Sequence, residues 1–392
     1  MQTYDILVIG RGLIGSAAAR HLSNKGATVA LIGPGEPDNH QTHTGVFGSH
    51  YDSGRIVRIL DPIPYYAHIA KQSIQRFRAL EAQTNTRFYH EVGYLVVSNN
   101  ITYLDDMEAC AQAYYPTIEQ IPYPDLSLRF PYFHFPTDVK ALYQATAGGY
   151  LNPRQTIAAQ NKALEMQGGT VIDDTVLELN RTGPLVQART TQGWVAGHKV
   201  VLATGAFANV GGITPRAIDF GVVPHTTVLG KVSIGQLDSL AGMPSLSYRL
   251  GDDPMRFIYF MPPIQYPDGN YYIKIGHSKG DSISNDKESL TTWFQGDGDP
   301  NRIAWLTETL HNLLPEVQFS SFHSQACVTT QSPTGKQFID RFEDERIYSL
   351  LADNGQCAKS ADELGYIAAS FVEQGCLPEG YDVEDYRLVY AE

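Results

Sequence analysis

The sequence predicts an α/β chain (α+β overall), with a Rossmann-type dinucleotide-binding domain into which an antiparallel-sheet substrate domain is inserted. Three observations carry that prediction. A strand, a glycine loop, a helix and a second strand open the chain. A later apolar strand closes on Ala203-Thr204-Gly205. Between 222 and 324 the pattern changes to strands separated by turns rich in Gly, Pro and Asp.

Residues 4–10 (YDILVIG) form a short apolar run, as expected of a parallel strand buried on both faces. It runs into Gly10-Arg11-Gly12-Leu13-Ile14-Gly15, then into a helix with small residues in its first turns. Gly26 is placed to end that helix, and 27–32 read as a second strand. In such a unit the first glycine permits the tight turn and the second lets a pyrophosphate approach the backbone. The third lets helix and strand close up, while the helix N-terminus presents free N–H groups to the phosphates. An acid usually ends the second strand and binds ribose hydroxyls. Here that position is Gly33, and Glu36 is the candidate substitute.

Downstream, the spacing predicts a helix over 66–81 and strands within 88–97. Asn152-Pro153-Arg154-Gln155 spells a helix start, with Asn as cap, Pro in the first turn and Gln three residues on. That helix ends near Gly168-Gly169, and a strand follows at 170–172. A hairpin is expected from 185–191 and 194–201, joined through Gln192-Gly193. One helix is expected near 303–314. A last helix is read as capped by Ser360, with Glu363 three positions on in a capping-box spelling. The cofactor domain is expected over 1–88, 148–222 and 325–392, and the substrate domain over 89–147 and 223–324.

With 392 residues and roughly 150 per domain, two or three units are expected, large enough to bury a core unaided. The 29 basic residues form no cluster against 42 acidic ones, which argues against a nucleic-acid partner. Four scattered cysteines without a C-x-x-C pair give no reason to expect a metal site or disulfide framework. No apolar run approaches the ~20 residues of a membrane helix, and the first strand leaves no room for a signal peptide. The expectation is a cytoplasmic protein, monomeric or a small homo-oligomer, without a membrane partner.

Taken together, these segments resemble the monomeric sarcosine oxidase and N-methyl amino acid oxidase branch of the D-amino-acid-oxidase-like flavoproteins, whose cofactor domain is of the glutathione-reductase type. Residues 49–58 (SHYDSGRIVR) are similar to the family's Ser-His-x-Asp-x-Arg-x-x-Arg segment with one residue inserted. The resemblance implies that Arg55 packs against the isoalloxazine ring and that Arg58 binds a substrate carboxylate. Tyr259 is similar to an active-site tyrosine, and Lys274 to the lysine that faces flavin N5 through water. Cys327, three residues before Thr330 and six before Pro333, falls where the family attaches FAD covalently. Lys359, six residues before Gly365, resembles the second carboxylate-binding group.

The resemblance further implies FAD contacts at Gly10, Gly12, Leu13, Ile14, Gly15 and Glu36. Others are implied at Ser49, His50, Val176, Ala203, Thr204 and Gly205, and at Cys327, Gly355 and Lys359. Two departures bear on the substrate. His277 follows the lysine by three residues where the pattern has four, and the Gly-His-Gly-Phe stretch reads Gly355-Gln356-Cys357-Ala358, which puts Gln356 on the substrate wall. The last helix is the candidate for stabilising negative charge at the flavin N1/C2=O edge. Asp362 and Glu363 would oppose that charge unless they point away.

The implied activity is oxidation of the C–N bond of a small secondary or N-substituted amine or amino acid. Hydride passes to flavin N5, an imine forms, and O2 is reduced to H2O2. Three alternatives stand beside it: a flavin dehydrogenase with another electron acceptor, a nicotinamide-dependent Rossmann dehydrogenase, and a non-catalytic flavin-binding protein. The nicotinamide reading explains only the first 35 residues. Taken singly, a buried cysteine such as Cys327 is more often inert packing than chemistry, Tyr259 reads equally as aromatic packing, and His50 and His277 read as structural rather than functional. Lys274 stands out, because a lysine in an otherwise apolar strand is unusual.

Overall fold

The computed structural model describes residues 2–253, 256–278 and 280–392. Its first sheet is built on Thr3–Ile9, which pairs in parallel with Val29–Ile32 on one side and Gly193–Leu202 on the other. Thr170–Ile172 continues the sheet beyond Val29–Ile32, and Ile347–Leu351 pairs in parallel with Gly193–Leu202. Leu7, Val8 and Leu31 have no exposed surface, as their unbroken apolar runs require. On one face lie the helices Leu13–Asn24, Pro153–Met166 and Cys357–Gln374. They close tightly: a Cβ on Gly365 would meet the backbone N of Ala18 at 2.6 Å.

One buried carboxylate ties these helices together. Asp362 accepts from Arg20 of the first helix, from Gln160 of Pro153–Met166, and from Arg76 of the helix Pro64–Thr84.

The second sheet has eight strands. Its order is Phe319–Gln331, Gly221–Val232, Tyr271–His277, Phe257–Gln265, Ser245–Arg249, Tyr94–Ser98, Lys140–Gln144 and Glu119–Pro122. All its pairings are antiparallel except Tyr94–Ser98 with Ser245–Arg249. The two longest strands, Gly221–Val232 and Phe319–Gln331, run through the domain boundaries expected at 222/223 and 324/325. A small third sheet joins Arg55–Val57, Gly149–Leu151 and Tyr89–His90, with Arg55 opposite Leu151.

The expected helices at 66–81 and 303–314 are Pro64–Thr84 and Pro300–Leu313. Asn152 caps its helix by accepting from Gln155 N at 3.1 Å. The helices Ile101–Tyr114, Tyr123–Arg129 and Lys287–Gln295 were not anticipated.

One reading is corrected. Ser360 is not a cap: the last helix begins at Cys357, and the Ser360 hydroxyl donates back to Gln356 O at 2.8 Å from inside the first turn. Asp362 and Glu363 consequently sit a turn deeper, engaged by Arg76 and, for Glu363, also by Tyr381. Among the described residues no helix is long and apolar enough to cross a membrane.

Candidate functional site

A cavity of about 720 Å3 lies where the carboxyl ends of the parallel strands meet the second sheet, the usual ligand position in open α/β sheets. The glycine loop forms one end. Gly10 has φ +114°, and a Cβ there would lie 2.1 Å from Ala203 O. A Cβ on Gly15 would lie 1.9 Å from Gly10 O. Gly15 thus serves helix–strand contact and is not on the cavity wall. Gly12 is the opposite case. Its nearest neighbour is His50 Nδ1 at 3.9 Å, so the backbone lies open to an incoming group.

The first helix starts at Leu13 with no side-chain cap, leaving its N–H groups available. Thr204 Oγ1, also on the wall, is buried without a hydrogen-bond partner among the described residues. Open backbone, uncapped N–H groups and an orphaned hydroxyl fit the pyrophosphate and ribityl parts of FAD. Leu13, Ile14, Val176, Ala203 and Gly205 line the same space.

The ribose end is unusual. A Cβ on Gly33 would meet Arg11 N at 2.6 Å, so Arg11 lies where a longer residue would stand. Arg11 and the N–H of Gly35 are held by the two oxygens of Asp173, each at 2.9 Å. Glu36 is off the wall and gripped by Arg154 through two 2.6 Å bonds. Burial acts against its ionisation, but Arg154 and His40 outweigh that and lower its pKa to about 2.

At the other end, two arginine–aspartate–lysine groups stand close together in the chain. Asp52 accepts from Lys274 and from Tyr266, the latter at 2.9 Å, and lies 3.4 Å from Arg55 Nε. Arg55 also donates to Ser49 O at 2.8 Å. Asp61 accepts from Arg58 and from Lys359, each at 2.7 Å. Gln144 secures this turn by accepting from the N–H groups of Ile59 and Leu60.

Burial would protonate both carboxylates, but the paired cations win and hold each below the ordinary range. The lysines respond the other way. Burial, and then the neighbouring arginine, lowers Lys274 and Lys359 each to about 8, against the opposing aspartate.

Arg55, Arg58, Lys359, Ser49 and His50 all line the cavity. Lys274 has no exposed surface, does not line it, and spends a second hydrogen bond on Gly54 O at 3.1 Å. The roles of Asp52 and Asp61 were missed from sequence, although each stands three residues from its arginine.

The second sheet supplies Tyr259, His277 and Cys327 to the wall. It also supplies His225, which sequence reading did not single out and which lies opposite Cys327 in the strand register. Thr226 N donates to His277 Nε2 at 3.1 Å, so that nitrogen is unprotonated. His225 is held between His277 O and Thr329 Oγ1, and burial keeps it neutral, with its pKa lowered to about 3.

The last wall is a turn containing Ala352, Asn354 and Gly355 at positive φ, a costly conformation for the two non-glycine residues. Asp353 fastens it by accepting from Thr330 N at 3.0 Å and from Gly355 N. That brings Gly355, Gln356 and Lys359 up against the Cys327 strand. Burial raises the Cys357 thiol well above its ordinary value.

A profile described as FAD dependent oxidoreductase (DAO) matches residues 5–370. N-methyl-L-tryptophan oxidase of Yersinia pestis (strain Pestoides F) is 25% identical over 395 residues, covering 98% of each chain. The structure of NikD, an unusual amino acid oxidase essential for nikkomycin biosynthesis, is similar with a TM-score of 0.78 and 20% identity. The match covers 100% of this chain and 99% of that one. L-proline dehydrogenase from P. horikoshii gives 0.75 at 16% identity, over 98% and 97%. At these identities the structures establish the shared fold, a Rossmann FAD domain with a substrate domain.

Proposed function

Because the chain belongs to the FAD dependent oxidoreductase family, we propose that it oxidises the C–N bond of a small secondary or N-substituted amine or amino acid, with dioxygen as the final electron acceptor and hydrogen peroxide as product. Bound FAD supplies a two-electron acceptor that takes the hydride at N5.

The protein's part is charge and position. Arg58 and Lys359 share one aspartate, so the group carries one net positive charge, which matches a single substrate carboxylate. Arg supplies a planar fork and Lys a point charge. Net positive charge on both groups also favours the neutral amine, the form that can release hydride. The uncapped start of the last helix contributes ~0.3–2 kcal/mol toward negative charge nearby. The acids feared in its first turn are paired elsewhere. Cys327 is the residue proposed for a thioether to the cofactor.

The observation that carries this reading is a single one. Arg55, Arg58, Tyr259, Cys327 and Lys359 line the same cavity as the open backbone at Gly12.

The test is anaerobic flavin bleaching against primary, secondary and cyclic amines with and without a carboxylate. Carboxylated amines are expected to bleach it, and Arg58→Ala to weaken them far more than uncharged ones. Equal losses would remove the clamp, and no bleaching by any amine would end the proposal. Flavin fluorescence that stays on the SDS-denatured chain, and is lost in Cys327→Ala, checks the thioether.

A dehydrogenase using another acceptor is the second reading. The placement of Lys274 against Asp52, off the cavity wall, favours it. Peroxide formed per substrate oxidised in air separates the two.

A further inference from the structure

We propose that Arg11 binds the adenosine ribose of FAD, a donor standing where this type of fold ordinarily places an acceptor, and that Asp173 holds it there. The contact serves the cofactor alone and holds whatever the substrate. In the usual arrangement an acid at the end of the second strand hydrogen-bonds the ribose hydroxyls. That strand is Val29–Ile32 here, and Gly33-Pro34-Gly35 follows it. Neither glycine has a positive φ, so neither is there for its backbone conformation. Both make room. A Cβ on Gly33 would lie 2.6 Å from Arg11 N and 2.8 Å from Arg11 Cβ, and one on Gly35 would lie 3.2 Å from Arg11 Nη2. The arginine side chain therefore crosses the loop from Gly33 to Gly35, over the ground an acid at Gly33 would cover.

The missing acid has moved one strand across. Ile32 and Ile172 are partners in the parallel register, so Gly33 and Asp173 leave neighbouring strands side by side. Asp173 Oδ2 accepts from Arg11 and Oδ1 from the Gly35 N–H, each at 2.9 Å. One carboxylate thus fixes both the cation and the loop beneath it. Asp173 itself is off the cavity wall, whereas Arg11, Gly33 and Pro34 are on it. Among the described residues Asp173 is the one hydrogen-bond partner of the Arg11 side chain, which leaves the rest of its five N–H donors for ribose oxygens.

Charge favours the exchange. An acid in this position reads the ribose but repels the neighbouring diphosphate. Arg11 is permanently cationic, so it attracts the diphosphate while it donates to the hydroxyl oxygens.

The probes are FAD and its two analogues lacking the adenosine 2′-hydroxyl or the 3′-hydroxyl. They are titrated by flavin fluorescence into full-length Cys327→Ala, where no thioether can form and binding is reversible. At least one analogue should bind about tenfold more weakly than FAD, as loss of a hydrogen bond to a charged group implies. Adding Arg11→Met, which keeps a stem over Gly33, should weaken FAD about tenfold and bring it level with that analogue. Adding Asp173→Ala, which leaves the arginine but frees it, should narrow the preference to about threefold. If Arg11→Met weakens FAD and both analogues equally, Arg11 only attracts the diphosphate and the ribose assignment is overturned. A Cys327→Ala protein that binds all three flavins alike overturns it without any further substitution. Either result leaves amine oxidation standing, since the titration involves no substrate.

Discussion

Asp61 reaches Arg58 across three residues and Lys359 across 298, and this sharing controls when Lys359 is charged. A base whose pKa is lowered to about 8 is cationic below that value and neutral above it. Binding of a simple carboxylate, read from the flavin spectrum, should therefore be tightest below about pH 8 and weaken as pH rises through it. Asp61 opposes the lowering, so Asp61→Asn should move the midpoint of that loss down by about one to three units. An unmoved midpoint would mean that Lys359 is not the titrating group. That Arg58, Lys359 and Cys327 would line one cavity was signalled in the sequence by their fixed offsets from neighbours within one segment. The role of Asp61 was not, because half of it depends on a contact that only the folded chain makes. Lys274 is a mixed case. Its presence in an apolar strand marked it as unusual, but nothing local announced that Asp52 would claim it.

Helix starts show the same division one level up. Asn152 and Ser360 carry equally good start signals, yet only Asn152 accepts from a free N–H of its helix. Asn152→Ala should therefore lower stability by about 1 kcal/mol. Ser360→Ala should be nearly neutral, since a hydroxyl donating back to the preceding turn adds little and slightly disfavours the helix. Thermal melts of the two variants decide it, and a loss at Ser360 as large as that at Asn152 would restore the capping box. The true start is set by the positive-φ turn at Ala352, Asn354 and Gly355, which no helix-cap spelling encodes. Ile101–Tyr114 was legible in principle: Asn100 accepts from Tyr103 N, and Leu104, Met107 and Ala111 keep helical spacing. Its short apolar face, between strands of one sheet, gave the pattern little length in which to declare itself.

At the scale of the molecule, the alternation of a parallel unit and an antiparallel layer was readable, but the seam between them was not. Gly221–Val232 and Phe319–Gln331 are hydrogen-bonded along almost their whole length, so no change of composition marks where one domain's residues end. The cavity between the sheets makes the fold's stability depend on its ligand. In Cys327→Ala, where no thioether can form and binding is reversible, free FAD at a hundred times its dissociation constant should add ~2.7 kcal/mol to unfolding. A cofactor-depleted preparation of that variant should accordingly melt lower and recover with FAD in proportion to the logarithm of its concentration. A melting temperature indifferent to FAD would count against the cavity as its seat.

Asp362 has a consequence beyond holding helices together. The helix proposed to face the phosphates and the helix proposed to face the ring are pinned to one carboxylate, so the gap between their ends is fixed like the jaws of a set caliper. Such a gauge measures length. FMN, which stops at its single phosphate, would leave one jaw empty and should be passed over in favour of the full dinucleotide.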